Sequence, residues 1–483
     1  MSARAAAIDP FARSFPARAR AAPFPWIQLF IAFELLCQVA LLIPEVGPAR
    51  LLVRVAAFGA SLALLVLVRG RGTAHPAAGP GLLALIVLGI AVFHPETTNL
   101  TAGTAQAALY AAVMAPLFWA PRVSIDTRAL RQAVTILWLF HTVSAALGIL
   151  QVYFPGQFQP HLSSVIASKG RGYMDSLMIT TVGGVRVFRP MGLTDIPGGA
   201  SISGLYAVLF GTGYFLTRRT AGMLALSTGS MAIGMVCLYL SQVRAVLVMT
   251  IIAVTVVSLI LLWRRDGIRL ISLVGAFAVV AVGGYTAAMS MAGPSVARRM
   301  ASLVQQRPGA VYYNERGHFF EEAVTTILPR APFGSGLGHW GMMSTYFGRG
   351  GDASKSVWVE IQWAGWIVDG GAPLVFLYVL ALVVALLTAW RIARSPPLPG
   401  ARDLPFWGVI VLAHGVGAFA LTFSYPIFLS QAGMEFWLLN AALYAAWRHA
   451  RQDDARTRAL AASAAEPAPY PAEAPPSLPR RWP

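Results

Sequence analysis

The sequence predicts an all-α membrane protein of about 12 transmembrane helices, with a long external loop before the tenth span. Three observations predict it. Hydrophobic residues make up 57% of the 483-residue chain and charged residues only 12%, about half the usual charged share of a soluble domain. The apolar residues gather into twelve runs, each near the ~20 residues that a bilayer core demands. Arginines mark alternate connections between these runs, the pattern that positive-inside topology produces. So apolar a chain is neither disordered nor an ordinary soluble enzyme. Two cysteines, Cys37 and Cys237, cannot make a disulfide scaffold, and both fall inside apolar runs as small core residues. The net charge of +17 would suggest nucleic acid, but the basic residues punctuate apolar runs and form no basic domain.

The runs lie at 26–44, 50–68, 80–94, 104–120, 131–153, 199–216, 221–240, 244–263, 268–289, 371–390, 405–424 and 428–447. The first follows a stretch containing Arg and Pro and has no small-residue cleavage site after it, so it reads as a span and not as a cleaved leader. Arg4, Arg13, Arg18 and Arg20 precede it. Arg69 and Arg71, then Arg122, Arg128 and Arg131, then Arg218 and Arg219, then Arg264, Arg265 and Arg269, then Arg391, Arg394 and Arg402 occupy alternate connections, and Arg448 and Arg451 begin the tail. With twelve spans these all fall on the cytoplasmic side, with both termini. Residues 1–25 are then a cytoplasmic segment, 26–447 the transmembrane domain and 448–483 a disordered cytoplasmic tail, rich in Ala, Pro and Glu. Segments 154–198 and 290–370 become external loops, where functional groups concentrate.

Several motifs carry little chemistry. Asn99-Leu100-Thr101 fits a glycosylation acceptor, a cheap match. Gly334-Ser335-Gly336-Leu337-Gly338 is not followed by Lys-Ser/Thr and reads as a tight turn. No Walker loop, HExxH or Cys/His cluster is present, and no cofactor or metal site is expected. Glu34, His141 and His414 lie within spans, where ionisable groups are functional hypotheses by default, although neutral histidines also bridge helices.

The external face nevertheless keeps many cations. Lys169, Arg171, Arg186 and Arg189 lie in the first long loop; Arg298, Arg299, Arg307, Arg316, Arg330, Arg349 and Lys355 lie in the second. Arg244 sits between spans 7 and 8, at the membrane boundary, where an arginine is costly unless it is paired or faces water. It either snorkels to headgroups or grips an anion bidentately. Arg189 has a similar setting, before Pro197-Gly198-Gly199 and span 6, and Arg186 is an equivalent candidate. Gly198 and Gly199 are placed to offer backbone N–H groups to an anion.

Three strings carry a family resemblance. Phe188-Arg189-Pro190-Met191-Gly192 leads to Pro197; Leu240-Ser241-Gln242-Val243-Arg244-Ala245 opens a helix; Arg316 and Phe320 lead to Pro332-Phe333-Gly334-Ser335-Gly336-Leu337-Gly338 and then Asp369-Gly370-Gly371. Ser424-Tyr425-Pro426 and Met434-Glu435-Phe436-Trp437 suit the last spans. In this order, over roughly 130–447, the chain resembles the O-antigen ligase / Wzy-type O-antigen polymerase superfamily of bacterial inner-membrane glycosyltransferases.

The resemblance implies transfer of a glycan from undecaprenyl pyrophosphate to an acceptor sugar hydroxyl, outside the membrane, with neither metal nor nucleotide sugar. Arg189 and Arg244 would bind the pyrophosphate, with Arg186 and Arg316 as further candidates. The ligases' His-Asn pair is missing; its approximate place holds Glu360, whose apolar flanks would raise its pKa toward that of a base. His339 is the other candidate base, and His318 reads as structural. The missing His favours an exopolysaccharide or O-antigen polymerase over a ligase that uses lipid A core. Partners would be the lipid-linked glycan, an acceptor glycan, membrane lipids, and a flippase and chain-length regulator of the pathway, with no nucleic acid. Tyr312, Tyr313, Trp340, Tyr346, Trp358, Trp363 and Trp366 are candidates to stack on sugars. A secondary transporter or flippase is the alternative class, and a non-catalytic scaffold a third. A transporter would gather ionisable groups near the midplane, whereas most lie here at the outer boundary.

Overall fold

In the computed structural model, which describes residues 24–465 apart from Arg71, Thr98, His161, 163–169, Arg219, Gln306 and 348–358, helix forms the greater part of every apolar run, with 104–120 shared between two helices. The segments 1–23 and 466–483, and Lys169, Arg349, Lys355 and Trp358, lie outside the described residues. The principal helices are α1 (Trp26–Ala40), α2 (Arg50–Leu67), α3 (Ala78–Ala91), α4 (Leu100–Met114), α5 (Thr127–Tyr153), α6 (Ala200–Thr217), α7 (Ala221–Ser241), α8 (Arg244–Trp263), α9 (Gly267–Gln305), α10 (Gln362–Ala393), α11 (Leu404–Leu421) and α12 (Gln431–Ala465). Among the described residues, eight helices are long and apolar enough to cross a membrane, or nine if α4 and its continuation Pro116–Arg122, bent by 41°, form one span. α1 and α3 are apolar but shorter.

The surface agrees with a lipid setting. Ile271 and Val279, in the first half of α9, are 75% and 73% exposed, a waste of apolar area in water but none in hydrocarbon. Inside, small residues let helices approach. A Cβ on Gly204 of α6 would lie 2.8 Å from the Gly234 carbonyl of α7, the close crossing that membrane helices favour.

The connections gather at two ends of the bundle. At one end, here the tail end, Arg122 donates to the Leu65 carbonyl at 3.0 Å, Arg448 donates to Thr73 at 3.1 Å, and Arg131 pairs with Asp403 at 3.5 Å. At the other, the cavity end, the α1–α2, α3–α4, α5–α6, α7–α8, α9–α10 and α11–α12 connections touch one another. Thus Tyr312 donates to the Phe423 carbonyl and Gln362 N–H to the Thr422 carbonyl.

The structure departs from the sequence expectation in four places. The segment 154–198 is not purely helical or irregular: β1 (Met178–Thr180) and β2 (Arg186–Phe188) form an antiparallel hairpin, with Ile179 opposite Val187. These two residues bury against Ala288, Ala292 and Val296 of α9, so the alternation of a short strand has a core to face. The segment 290–370 is largely helical. α9 continues to Gln305 past a break at Ala292–Gly293 before Pro294, and α10 begins at Gln362 and is broken at Gly371 before Pro373. Pro and Gly interrupt these helices without ending them. A further helical stretch, 308–330, covers the loop helix that the sequence suggests from Glu315 to Ile327 and adds two π-helical turns, Tyr313–Gly317 and Ala323–Ile327. Finally, α12 runs to Ala465, well beyond the expected start of the disordered tail at 448. Its alanines favour helix, and His449–Asp453, Arg456–Asp453 and Arg458–Asp454 pair at helical spacing.

Candidate functional site

The segment between β2 and α6 is pinned from below. The Gln151 carboxamide of α5 accepts from the N–H groups of Met191 and Gly192 at 2.9 and 2.8 Å and donates to the Gly192 carbonyl at 2.9 Å. Ser144 accepts from Leu193 N–H at 2.9 Å. Asp195 is buried and pairs with Arg54 and, at 3.4 Å, with Arg50, both of α2. Side chains have replaced secondary structure in satisfying this buried backbone. The hairpin's last ladder bond, Arg189 N–H to the Leu177 carbonyl at 3.0 Å, fixes where the Arg189 side chain leaves.

Arg244 is fixed by a corner. Gln242, between α7 and α8, has φ 54°, a left-handed backbone rare for a residue with a side chain. That reversal starts α8 at Arg244 and turns the Gln242 carbonyl outward to accept from Arg299 Nε at 3.3 Å. Arg244 in turn pairs with Glu315, in the first π-helical turn. The neighbouring Arg316 reaches the other way and pairs with Glu360.

Arg189, Arg244, Arg299 and Arg316 therefore converge on the mouth of one cavity of about 1150 Å³. Glu315 shares that mouth. Its wall is apolar along Val53, Phe58 and Leu62 of α2, Leu109 of α4, and Val248 and Ile252 of α8. Burial lowers the pKa of Arg189, and the adjacent Arg244 lowers it further, while Glu315 opposes the shift. Burial raises the Glu315 carboxyl, but the Arg244 contact and the charges of Arg299 and Arg316 hold it below its ordinary value. Burial also lowers Arg316, against the pull of Glu315. Such shifts leave a guanidinium charged at neutral pH. The mouth thus holds a dense positive charge countered by few carboxylates, the electrostatics of a site for a multiply charged anion.

The sequence-predicted residues divide. Arg189, Arg244 and Arg316 come together. Arg186 does not: it stays on the hairpin, paired with Asp175 at 2.9 Å, both half exposed, because strand alternation sends it away from its buried neighbour Val187. Glu360 lies beside the cluster, but as the partner of Arg316; a cation is what its surroundings supply, beyond the apolar flanks that the sequence displays. His339 lies outside the cavity lining among the described residues. It adjoins Trp340, whose indole donates to the buried Asp369 at 2.8 Å. The glycine run around it has φ between 83° and 89° at Gly334, Gly336 and Gly338, a tight turn packed on Thr97, Gly103 and Gly370. The amides of Gly198 and Gly199 are not open to an anion: they donate to Pro190 and Ile196 carbonyls at 3.0 and 2.9 Å. Asn99 caps α4 through the N–H groups of Thr101 and Ala102. Of the candidate sugar-stacking aromatics, Tyr312 and Tyr346 line the cavity, while Trp340 and Trp366 are buried in the fold.

Sequence reasoning missed Arg299, Glu315, Arg54 and Asp195. Arg299 was one external arginine among many, and nothing local marks that the Gln242 carbonyl would hold it. Deeper in the bundle, His141 lies 3.8 Å from Glu435, close to Ser203 at 3.1 Å; Glu34 and His414 are also buried. Among the described residues no group of three or more His, Cys, Asp or Glu is placed to hold a metal ion. Comparison with protein-family models gives no match, and comparison with curated proteins gives none.

Proposed function

We propose that this chain is a membrane enzyme that acts on a lipid-linked anion. More particularly, we propose a glycosyltransferase of surface-polysaccharide assembly in the bacterial cytoplasmic membrane. It moves an undecaprenyl-pyrophosphate-linked oligosaccharide to an acceptor sugar hydroxyl, most simply as a Wzy-type polymerase. One observation carries the reading: four arginines converge at the head of a cavity with an apolar wall. A polyprenyl pyrophosphate needs both parts, about 0.8 kcal/mol for each methylene buried along the wall and charge-assisted hydrogen bonds at the head.

The accompanying topology is twelve spans, with the bent α4, the short α1 and α3 and the first part of α12 included and both termini cytoplasmic. The cavity mouth then faces outward, where lipid-linked glycans are assembled. Arg189, Arg244 and Arg299 grip the pyrophosphate and stabilise the charge that grows on it as the glycosyl bond breaks; Arg316 lies beside them. The absent His-Asn pair keeps the ligase reading second among transferases. A secondary transporter draws on a different observation, that His141 and Glu435 also line the cavity, deep within the spans.

Complementation of a deletion strain tests the proposal. Arg244→Ala is expected to abolish polymer while the protein still reaches the membrane. Wild-type polymer length and yield in that variant would remove the pyrophosphate role.

A further inference from the structure

The cluster already holds an anion. Glu315 is paired with Arg244, and Arg299 and Arg316 also act on its carboxylate. A carboxylate resembles one edge of a phosphate, with two oxygens in a plane and one negative charge. A pyrophosphate offers more oxygens and at least twice the charge, so it competes for the same guanidiniums and wins them. Glu315 must then leave Arg244, and it has somewhere to go. Its side chain is 51% exposed, against 10% for Arg244, and it sits on a π-helical turn, a wide turn that recurs at functional sites. It also lines the cavity, so an acceptor hydroxyl entering from the aqueous side can reach it.

Displacement changes its chemistry. While it is held by arginines the carboxylate is a weak base. Once the donor has taken Arg244, Glu315 has lost a cation and gained an anionic neighbour, and both changes raise its proton affinity. Glu360 is paired with Arg316, whereas the exchange proposed here is that of the carboxylate held by Arg244.

Resting on the function proposed above, we propose that Glu315 is the catalytic base, held by Arg244 until the donor's pyrophosphate displaces it. In the step, the acceptor O–H bond breaks and its proton passes to Glu315. The acceptor oxygen bonds to the anomeric carbon as the bond from that carbon to the phosphate oxygen breaks. The electron pair leaves on the lipid pyrophosphate. Donor binding thus arms the base, and the acceptor is activated only when a donor is present.

The test uses purified full-length protein with inorganic pyrophosphate as the probe, beside glycan yield in a complemented deletion strain. Glu315→Gln is expected to bind pyrophosphate at least threefold more tightly, since a neutral amide is a weaker competitor, yet to give at least 100-fold less product. Glu315→Asp, which keeps the carboxylate, should recover part of the product and the wild-type affinity. Wild-type product from Glu315→Gln, or unchanged or weaker pyrophosphate binding by it, would overturn the proposal. Arg244→Ala separates this from the broader reading: wild-type pyrophosphate affinity there would mean that the arginine cluster is not the anion site, whereas its loss combined with normal product from Glu315→Gln would sink only the base.

Discussion

Arg394 and Arg244 both stand at helix ends, and their surroundings differ in kind. Arg394 closes α10 at the tail end, where its guanidinium lies 5.1 Å from the Trp263 ring centroid and 5.5 Å from that of Trp390. Nearby, Arg264 and Arg269 lie over Phe406 at 5.1 and 4.4 Å, and Arg269 also pairs with Asp266. Each of these three cations has an aromatic face, and Arg269 a carboxylate as well, while Arg122 and Arg448 donate to the Leu65 carbonyl and to Thr73. At the cavity end Arg189, Arg244 and Arg299 crowd together with Glu315 among them, so that, beyond the lowering by burial, Arg244 depresses the pKa of Arg189 and both depress that of Arg299; at the tail end Arg269 depresses Arg264 likewise, there as a pair beside Asp266. Like charges held close cost free energy unless something anionic joins them. On the function proposed above, the tail-end arginines finish the fold and the cavity-end arginines await an anionic ligand.

The sharpest way to break this contrast is to exchange the two ends. Arg244→Ala should weaken pyrophosphate binding by roughly 10- to 100-fold, the worth of one charge-assisted contact, with little loss of thermal stability. Arg394→Ala should leave binding intact and lower stability by about 0.5–1 kcal/mol, the scale of a cation–π contact. Calorimetry and thermal unfolding read the two effects separately, and a stability loss without a binding loss at Arg244 would erase the distinction.

Intermediate between these lies the clip. Asp195→Asn would leave Arg50 and Arg54 without their shared carboxylate and loosen the Arg189 segment. A stability loss of about 1–3 kcal/mol is expected, together with weaker pyrophosphate binding although residue 195 is itself an acid. Tighter binding would mean that Asp195 only competes with the ligand.

The tail end supplies a pH test of its own. Burial pushes His75 down to about 3; it packs edge-on to Tyr444 and accepts from Ala77 N–H at 3.1 Å. Its folded pKa is below the ordinary value, so folding favours the neutral form. That stability is complete above about pH 6.5 and is lost as pH falls toward 3, by about 2 kcal/mol at pH 5. Unfolding midpoints at pH 7 and 5 should therefore converge in His75→Gln; an unchanged acid sensitivity would locate it elsewhere. The smallest effect is expected at Arg186, whose half-exposed pair with Asp175 should be worth under about 1 kcal/mol. Arg186→Ala should bind pyrophosphate as wild type does.

The helices were legible because a bilayer imposes length and apolarity, and both are visible along a chain. Helix continuation through Pro294 and Pro373 was less so: breaks in mid-helix resemble ends, and only tertiary contacts distinguish them. For the site, Arg189 and Arg244 stood out by their nearness to spans. Glu315 and Arg299 did not, because their meeting depends on a left-handed Gln242 and a π-helical turn, and neither has a local sequence signature. Glu360 was placed near the cluster by register alone; its partner, 44 positions away at Arg316, was invisible. Arg186 and Arg189 could be separated only once the hairpin assigned one to the exposed face and the other to the end of the ladder.

The central claim is that the cavity-end arginines hold the head of a lipid pyrophosphate. Native mass spectrometry of the protein in lipid nanodiscs carrying undecaprenyl pyrophosphate tests it most directly. Wild type and Arg394→Ala are expected to retain one lipid, and the Arg189→Ala/Arg244→Ala double variant to lose it while staying folded. Equal retention by the folded double variant would contradict the account.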